Sequence, residues 1–86
     1  MHQVVLSRRA HRSLRDMPAE DARRVGDALV RLQNEPRTMG VIKLTGVAVA
    51  EYRLRVGNYR ILFDIIEDDS VVEVLDIRRR SEGTYR

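Results

Sequence analysis

Residues 52–63 read YRLRVGNYRILF, and they carry the clearest secondary-structure pattern in the chain. Apolar and polar residues alternate on both sides of Gly57-Asn58, a dipeptide that favours a two-residue hairpin turn of type II′. The turn predicts a register in which Val56 pairs with Tyr59, Arg55 with Arg60, Leu54 with Ile61, and Arg53 with Leu62. The stretch therefore predicts a β-hairpin with one apolar face and one arginine-rich face.

The sequence before the hairpin is typical of one strand followed by two helices. Residues 4–6 (VVL) form a short apolar run that predicts a first strand, and Ser7 is a good N-cap for the segment after it. Helical spacing of apolar residues follows, interrupted at Pro18 and ended by Asn34, Pro36 and Gly40. The apolar positions are Ala10, Leu14 and Met17 in the first helix and Ala22, Val25, Leu29 and Leu32 in the second.

After the hairpin, residues 68–70 (DDS) predict a second turn, and Val71 to Ile77 predicts a strand apolar enough to be central. The predicted fold is therefore α+β with the order β-α-α-β-β-β. We expect an antiparallel-rich sheet of about four strands with a helical hairpin packed on one face. At 86 residues, the chain has the length of one domain, and we predict a single domain over residues 1–86.

The composition argues against disulfide-bonded, metal-binding, membrane-spanning and secreted proteins. The chain has no cysteine and only two histidines, so neither disulfides nor a metal site is expected, and no cofactor motif is present. No apolar run approaches the roughly 20 residues that span a bilayer, and the apolar part of the N-terminus is too short for a secretory signal. We therefore expect a cytoplasmic protein.

The basic residues are almost all arginines. Lys43 is the only lysine among 16 basic residues, and the sequence pI is about 9.9. The guanidinium group of arginine is planar and permanently charged, and it binds phosphate through two parallel hydrogen bonds. Phosphate-bearing partners therefore fit this composition. A genome rich in arginine codons accounts for it equally well.

The predicted hairpin register places Arg53, Arg55 and Arg60 on one side of the sheet, and we call this side the arginine face. Like charges directly opposite each other destabilise a sheet, so the cluster indicates that an anion normally occupies it. Arginines two positions apart on a strand lie about 6.6 Å apart, which suits successive phosphates of a nucleic acid. The alternative is a solvated polar face neutralised by Glu51, Asp64 or Asp76.

The C-terminal residues Arg78, Arg79, Arg80 and Tyr85 can extend the arginine face if the chain turns back beside the sheet. Arginines that hold phosphates and a ring that stacks on a base make a site for single-stranded RNA. The alternative is that the arginines form a solubilising tail and that the Tyr85 ring anchors the terminus by an apolar contact.

The chain resembles the RelE/ParE toxin superfamily over nearly its whole length. The resemblance lies in residues 43–46 (KLTG), 52–63 (YRLRVGNYRILF), 74–80 (VLDIRRR) and Tyr85. It implies the same layered fold, with the element order described above. RelE-like members cleave mRNA on the ribosome with the RNA's own 2′-hydroxyl and no metal, whereas ParE-like members inhibit DNA gyrase without nuclease activity.

The resemblance also implies roles for individual residues. Arg53, Arg55, Arg60, Arg79 and Tyr85 correspond by position to the catalytic set, with Arg80 as a competing assignment for Arg79. Arg53, Arg55, Arg78, Arg80 and Lys43 are assigned to RNA binding. Because arginine does not readily give up its proton, none of these arginines is a good general base.

Three hypotheses follow for the function. The first is a toxin of a type II toxin–antitoxin system that cleaves mRNA on the ribosome without a metal and so inhibits translation. The second is a ParE-like inhibitor of DNA gyrase, and the third is a nucleic-acid-binding module without catalysis. For a toxin we also expect a cognate antitoxin that is acidic and partly disordered when free.

Overall fold

The structure, a computed structural model, describes residues 1–46 and 49–79 of the chain. Its elements follow the predicted order with one short strand added. They are β1 (Gln3–Leu6), α1 (Arg8–Asp16), α2 (Ala19–Asn34), β2 (Val41–Lys43), β3 (Tyr52–Val56), β4 (Tyr59–Ile66) and β5 (Val71–Arg79). The α+β class is confirmed. Neither helix in the described ranges is long and apolar enough to cross a membrane.

The strands form one sheet in the order β1-β5-β4-β3-β2. Strand β1 runs parallel to β5, and the other neighbours are antiparallel. The sheet thus has five strands rather than the predicted four, because residues 41–43 pair with β3 as a short edge strand. Strand β5 is central, as its apolar sequence predicted.

The predicted hairpin register is confirmed at every position. Val56 pairs with Tyr59 and Arg55 with Arg60, and the pairing continues to Tyr52 and Phe63. Gly57 has a φ of +58°, the left-handed value that the first turn position of a type II′ hairpin requires. The local sequence therefore determines which side chains share a face.

The helices cover the apolar face of the sheet. Helix α1 begins at the predicted N-cap, where the Ser7 hydroxyl accepts a hydrogen bond from Ala10 N at 3.0 Å. Helix α2 begins directly after Pro18. The largest fully buried side chains come from α2 and the three central strands, and they are Val25, Leu32, Leu54, Ile61, Phe63, Val72 and Val74. The arginine face is the opposite side of the sheet.

A β-bulge interrupts the pairing of β4 with β5. Leu62 pairs with Asp76 while the next residue, Phe63, pairs with Val74, so Leu75 is the extra residue on β5. An inserted residue reverses the alternation of side chains beyond it. Val74 consequently faces the helices, and Asp76 lies on the arginine face instead of in the core.

Candidate nucleic-acid interface

Three arginines form a row across the three central strands. Arg55 on β3 pairs with Arg60 on β4, and Arg60 pairs in turn with Arg78 on β5. Neighbouring strands are about 4.8 Å apart, so the row spans about 10 Å. Arg78 joins this row because the bulge at Leu75 turns it towards the arginine face. Three like charges side by side are unfavourable unless an anion neutralises them.

The row next to it contains Arg53, Leu62 and Asp76 on the same three strands. Arg53 is half-buried, and Leu62 is only 6% exposed although it faces away from the helices. The Nε atoms of Arg53 and Arg60 are shielded from solvent and have no hydrogen-bond partner. A buried donor without an acceptor is costly. No acceptor among the described residues therefore compensates either Nε atom.

The nearby carboxylates do not neutralise these arginines. Within residues 1–46 and 49–79, Arg53, Arg55 and Arg60 form no salt bridge. Asp64 Oδ1 accepts a hydrogen bond from the backbone N–H of Glu51 at 2.8 Å. The alternative of a face neutralised by its own acidic residues is therefore supported only for Arg78, which Asp76 contacts.

Asp76 holds Arg78 and fixes one end of the row. Its Oδ2 accepts a hydrogen bond from Arg78 Nε at 2.8 Å and lies 3.9 Å from Arg9 Nη1. Its Oδ1 accepts a hydrogen bond from the backbone N–H of Ile77 at 2.9 Å. Neither Asp76 nor Arg9 was among the predicted site residues. A charged residue inside the apolar run 71–77 was a signal that something unusual happens there.

Arg79 does not join the arginine row. It pairs with Tyr59, whose ring is buried in the core, so Arg79 points to the helix side of the sheet. There it lines a cleft of about 380 Å³. The other lining residues are Arg12, Ser13, Asp16, Met17, Pro18, Tyr59 and Ile77.

The surroundings of Tyr59, one of these lining residues, disfavour its ionisation. Burial and the nearby carboxylate of Asp21 raise the pKa of the Tyr59 hydroxyl, and the charge of Arg79 opposes this shift only in part. The hydroxyl donates a hydrogen bond to Asp21 Oδ2 at 3.4 Å. Tyr59 is therefore held neutral at physiological pH and gives no general base on this side of the sheet.

The remaining predicted site residues are dispersed. Lys43 is exposed on the edge strand β2 and pairs with Tyr52, whose ring stacks on the core residue Phe63, so Lys43 does not share the arginine face. Arg80 and Tyr85 lie outside the described residues. Of the predicted set, the structure brings together Arg53, Arg55, Arg60 and Arg78.

The row can bind phosphate groups and stabilise negative charge. Guanidinium groups gathered side by side can meet a phosphate that gains charge with their terminal N–H donors. Among residues 1–46 and 49–79, no group of three or more His, Asp or Glu side chains is placed to hold a metal ion.

Sequence comparison identifies the family. Residues 4–83 match the family described as the ParE toxin of type II toxin–antitoxin systems. The chain belongs to the RelE/ParE toxin superfamily. It is also 26% identical over 86 residues to the RelE1 protein of Methanocaldococcus jannaschii, with 96% of this chain and 93% of that protein covered. The chain is thus a toxin of a type II toxin–antitoxin system.

Solved structures of RelE toxins share this fold. The archaeal RelE–RelB complex from Pyrococcus horikoshii matches with a TM-score of 0.78 and 27% identity, covering 95% of this chain and 98% of that one. The isolated E. coli RelE toxin matches with a TM-score of 0.82, covering 98% of this chain and 89% of that one. At 20% identity, the E. coli likeness extends to the fold only.

Proposed function

We propose that this toxin is a metal-independent endoribonuclease that cleaves mRNA on the ribosome in the cytoplasm. The row of Arg55, Arg60 and Arg78 is the observation that carries the proposal. Gyrase inhibition by binding requires no such concentration of phosphate-binding donors, whereas cleavage of a phosphodiester requires charge stabilisation at one phosphorus atom.

In the proposed reaction, the 2′-oxygen of the RNA attacks the adjacent phosphorus and the bond to the 5′-oxygen breaks. The products are a 2′,3′-cyclic phosphate and a free 5′-hydroxyl. The 2′-hydroxyl loses a proton and the leaving oxygen gains one. The nucleophile comes from the substrate, so the mechanism does not require a metal-bound water.

Each arginine has a proposed part in this reaction. Arg53 and Arg55 bind the RNA backbone, and Arg60 stabilises the charge that develops on the phosphate oxygens. Its central place in the row puts it next to both Arg55 and Arg78. We propose that Arg78 takes the catalytic role that the resemblance assigns to Arg79, because Arg78 is the one in the row. Tyr85 retains its predicted role of stacking on, or deprotonating, the nucleotide.

Gyrase inhibition is the second candidate, since the family that matches residues 4–83 is described as ParE. Expression in a bacterial host distinguishes the two. Primer extension on cellular mRNA and a gyrase supercoiling assay are performed on the same cultures and lysates. Cut mRNA with normal supercoiling supports the ribonuclease, and intact mRNA with inhibited supercoiling overturns it.

We also propose a cognate antitoxin as the physiological partner. Solved RelE relatives from P. horikoshii, Mycobacterium tuberculosis, E. coli and Methanococcus jannaschii include complexes with an antitoxin. The exposed arginine row supplies a surface that an acidic segment can neutralise.

A further inference from the structure

Asp76 is a buried charge with an unusual set of partners. It is 5% exposed and is the only charged residue that is buried among residues 1–46 and 49–79. A buried carboxylate is destabilising unless hydrogen bonds and opposite charges compensate for its loss of hydration. Arg78 Nε, the backbone N–H of Ile77 and the more distant Arg9 provide that compensation.

The backbone around Asp76 is built to place it on the arginine face. The bulge at Leu75 turns Asp76 away from the core. The Ser7 hydroxyl donates a hydrogen bond to the carbonyl of Leu75 at 2.7 Å, which ties the bulge to the start of α1. Core packing alone would be served as well by an apolar residue at position 76, since replacing a buried ion pair with apolar groups is often neutral or stabilising.

The hydrogen bond determines how Arg78 is presented. Asp76 engages Nε of Arg78, and a guanidinium carries four further N–H donors on its two terminal nitrogens. The guanidinium plane is thereby fixed while terminal donors are left for another acceptor. Arg60 pairs with Arg78 across the strands, so the fixed group lies beside the centre of the row.

We propose that Asp76 is a positioning residue for RNA cleavage, an inference that rests on the proposed ribonuclease function. It acts through Arg78: it orients the guanidinium towards the scissile phosphate and removes one unit of positive charge from the cluster. Orientation favours the reaction, and reduced charge weakens ground-state binding of RNA. Asp76 therefore lowers the affinity for RNA and raises the rate of cleavage.

The test compares Asp76→Asn with wild type in two assays. Binding is measured by fluorescence anisotropy with a labelled short single-stranded RNA over a range of salt concentrations. Cleavage is measured as the single-turnover rate on mRNA-programmed ribosomes. We expect tighter RNA binding with a steeper salt dependence, together with a cleavage rate lower by about tenfold or more. Asp27→Asn makes the same chemical change on the exposed surface of α2 and should leave the cleavage rate unchanged.

A double-mutant cycle separates positioning from a general effect on the fold. If Asp76 acts through Arg78, then Asp76→Asn in an Arg78→Ala background changes the cleavage rate by less than about threefold. Equal losses in both backgrounds overturn the proposal. Parallel losses of binding, rate and melting temperature assign Asp76 a structural role and overturn it as well.

A measurement without RNA distinguishes failure of this inference from failure of the proposed function. The ¹H–¹⁵N signal of Arg78 Nε in the full chain should exchange slowly with water in wild type and rapidly in Asp76→Asn. If wild type does not cleave RNA at all, the proposed ribonuclease fails whatever this signal shows. If wild type cleaves RNA but Arg78 Nε–H exchanges equally fast in both proteins, only the positioning role is overturned.

Discussion

The Ser7 hydroxyl binds two elements at once: it donates a hydrogen bond to Leu75 O at 2.7 Å and accepts one from Ala10 N at 3.0 Å. The first contact joins the end of β1 to the bulge of β5, and the second caps α1. One side chain therefore links the start of the helical hairpin to the irregularity that directs Arg78 towards the arginine face.

Replacing Ser7 by alanine should destabilise the protein by about 2 kcal/mol. Loss of an N-cap costs about 1 kcal/mol, and loss of the partly buried hydrogen bond to Leu75 adds about as much. Urea unfolding followed by circular dichroism measures the change. Ser13→Ala, in the body of α1, is the matched control and should change stability by less than about 0.5 kcal/mol. Equal effects of the two substitutions would show that the contacts of Ser7 are unimportant.

The hairpin could be predicted from sequence, and the bulge could not. The turn at Gly57-Asn58 is local, and its two residues determine the pairing of Arg55 with Arg60. The bulge depends on contacts between distant segments, since Ser7 and Leu75 are 68 positions apart. Strict alternation from Val74 places Asp76 in the core, and only the cost of burying a carboxylate argues against that placement.

The same reason explains why the sequence did not show which arginine of the C-terminal run joins the row. Beyond the bulge the alternation is reversed, so Arg78 faces the row and Arg79 faces the helices. A sequence pattern can predict a basic run near the end of the last strand, but the face of each residue depends on the register. The prediction ended this strand at Ile77, whereas β5 continues to Arg79. Strand β2 was missed because three residues are too few to show a period of two.

Replacing Arg60 by alanine should abolish toxicity and leave the fold intact. Arg60 lies between two other arginines, and its Nε has no hydrogen-bond partner. Its removal relieves repulsion within the row, so we expect stability to change by less than about 1 kcal/mol. Loss of one electrostatic stabiliser lowers a catalytic rate by about 100-fold or more.

The measurements are growth after induction, cleavage on programmed ribosomes, and thermal melting. Arg23→Ala removes an arginine from α2, where it pairs with Glu20, and serves as the control for net charge. A toxic Arg60→Ala protein, or one that melts far below wild type, would remove the row from the active site.

Removing Tyr85 and Arg86 should give a folded but weakly active protein. The core formed by the described residues is already closed by side chains between Ala10 and Ile77. Circular dichroism and the cleavage assay together test this prediction. An unfolded truncated chain would mean that the Tyr85 ring stabilises the fold by an apolar contact. In that case Tyr85→Phe, which keeps the ring, tells whether the hydroxyl has any part in cleavage.

Stability should fall in the alkaline range because of Tyr59. Burial and Asp21 raise the pKa of this hydroxyl in the folded state. A raised folded-state pKa stabilises the protein below the unfolded pKa of about 10, and this contribution is lost as the pH rises through the folded-state pKa. The melting temperature of wild type should therefore decline above about pH 10.

Tyr59→Phe is the matched variant, since it keeps the buried ring and removes the ionisable group. Its melting temperature should decline less steeply over the same pH range. At neutral pH the two proteins should differ little, because the hydrogen bond to Asp21 is long at 3.4 Å. Identical pH profiles would show that Tyr59 ionises as freely in the folded state as in the unfolded state.

The antitoxin should bind with a salt-dependent affinity that does not vanish at high salt. The arginine row attracts an acidic segment by long-range electrostatics, so association should slow and affinity fall as salt screens the charges. Exposed apolar side chains on other surfaces, such as Val30 on α2 and Ile42 on β2, offer anchors that salt does not weaken. A partly disordered partner can cover the helices and the sheet together.

The measurement is calorimetry of the toxin with the product of the adjacent small open reading frame at several salt concentrations. Arg55→Ala should lower the salt dependence of binding, because it removes a charge that the acidic segment meets. Val30→Ala should weaken binding equally at all salt concentrations, because it removes an apolar anchor. If no neighbouring product binds, or if the toxin alone is harmless to the host, the proposed antitoxin partnership is wrong.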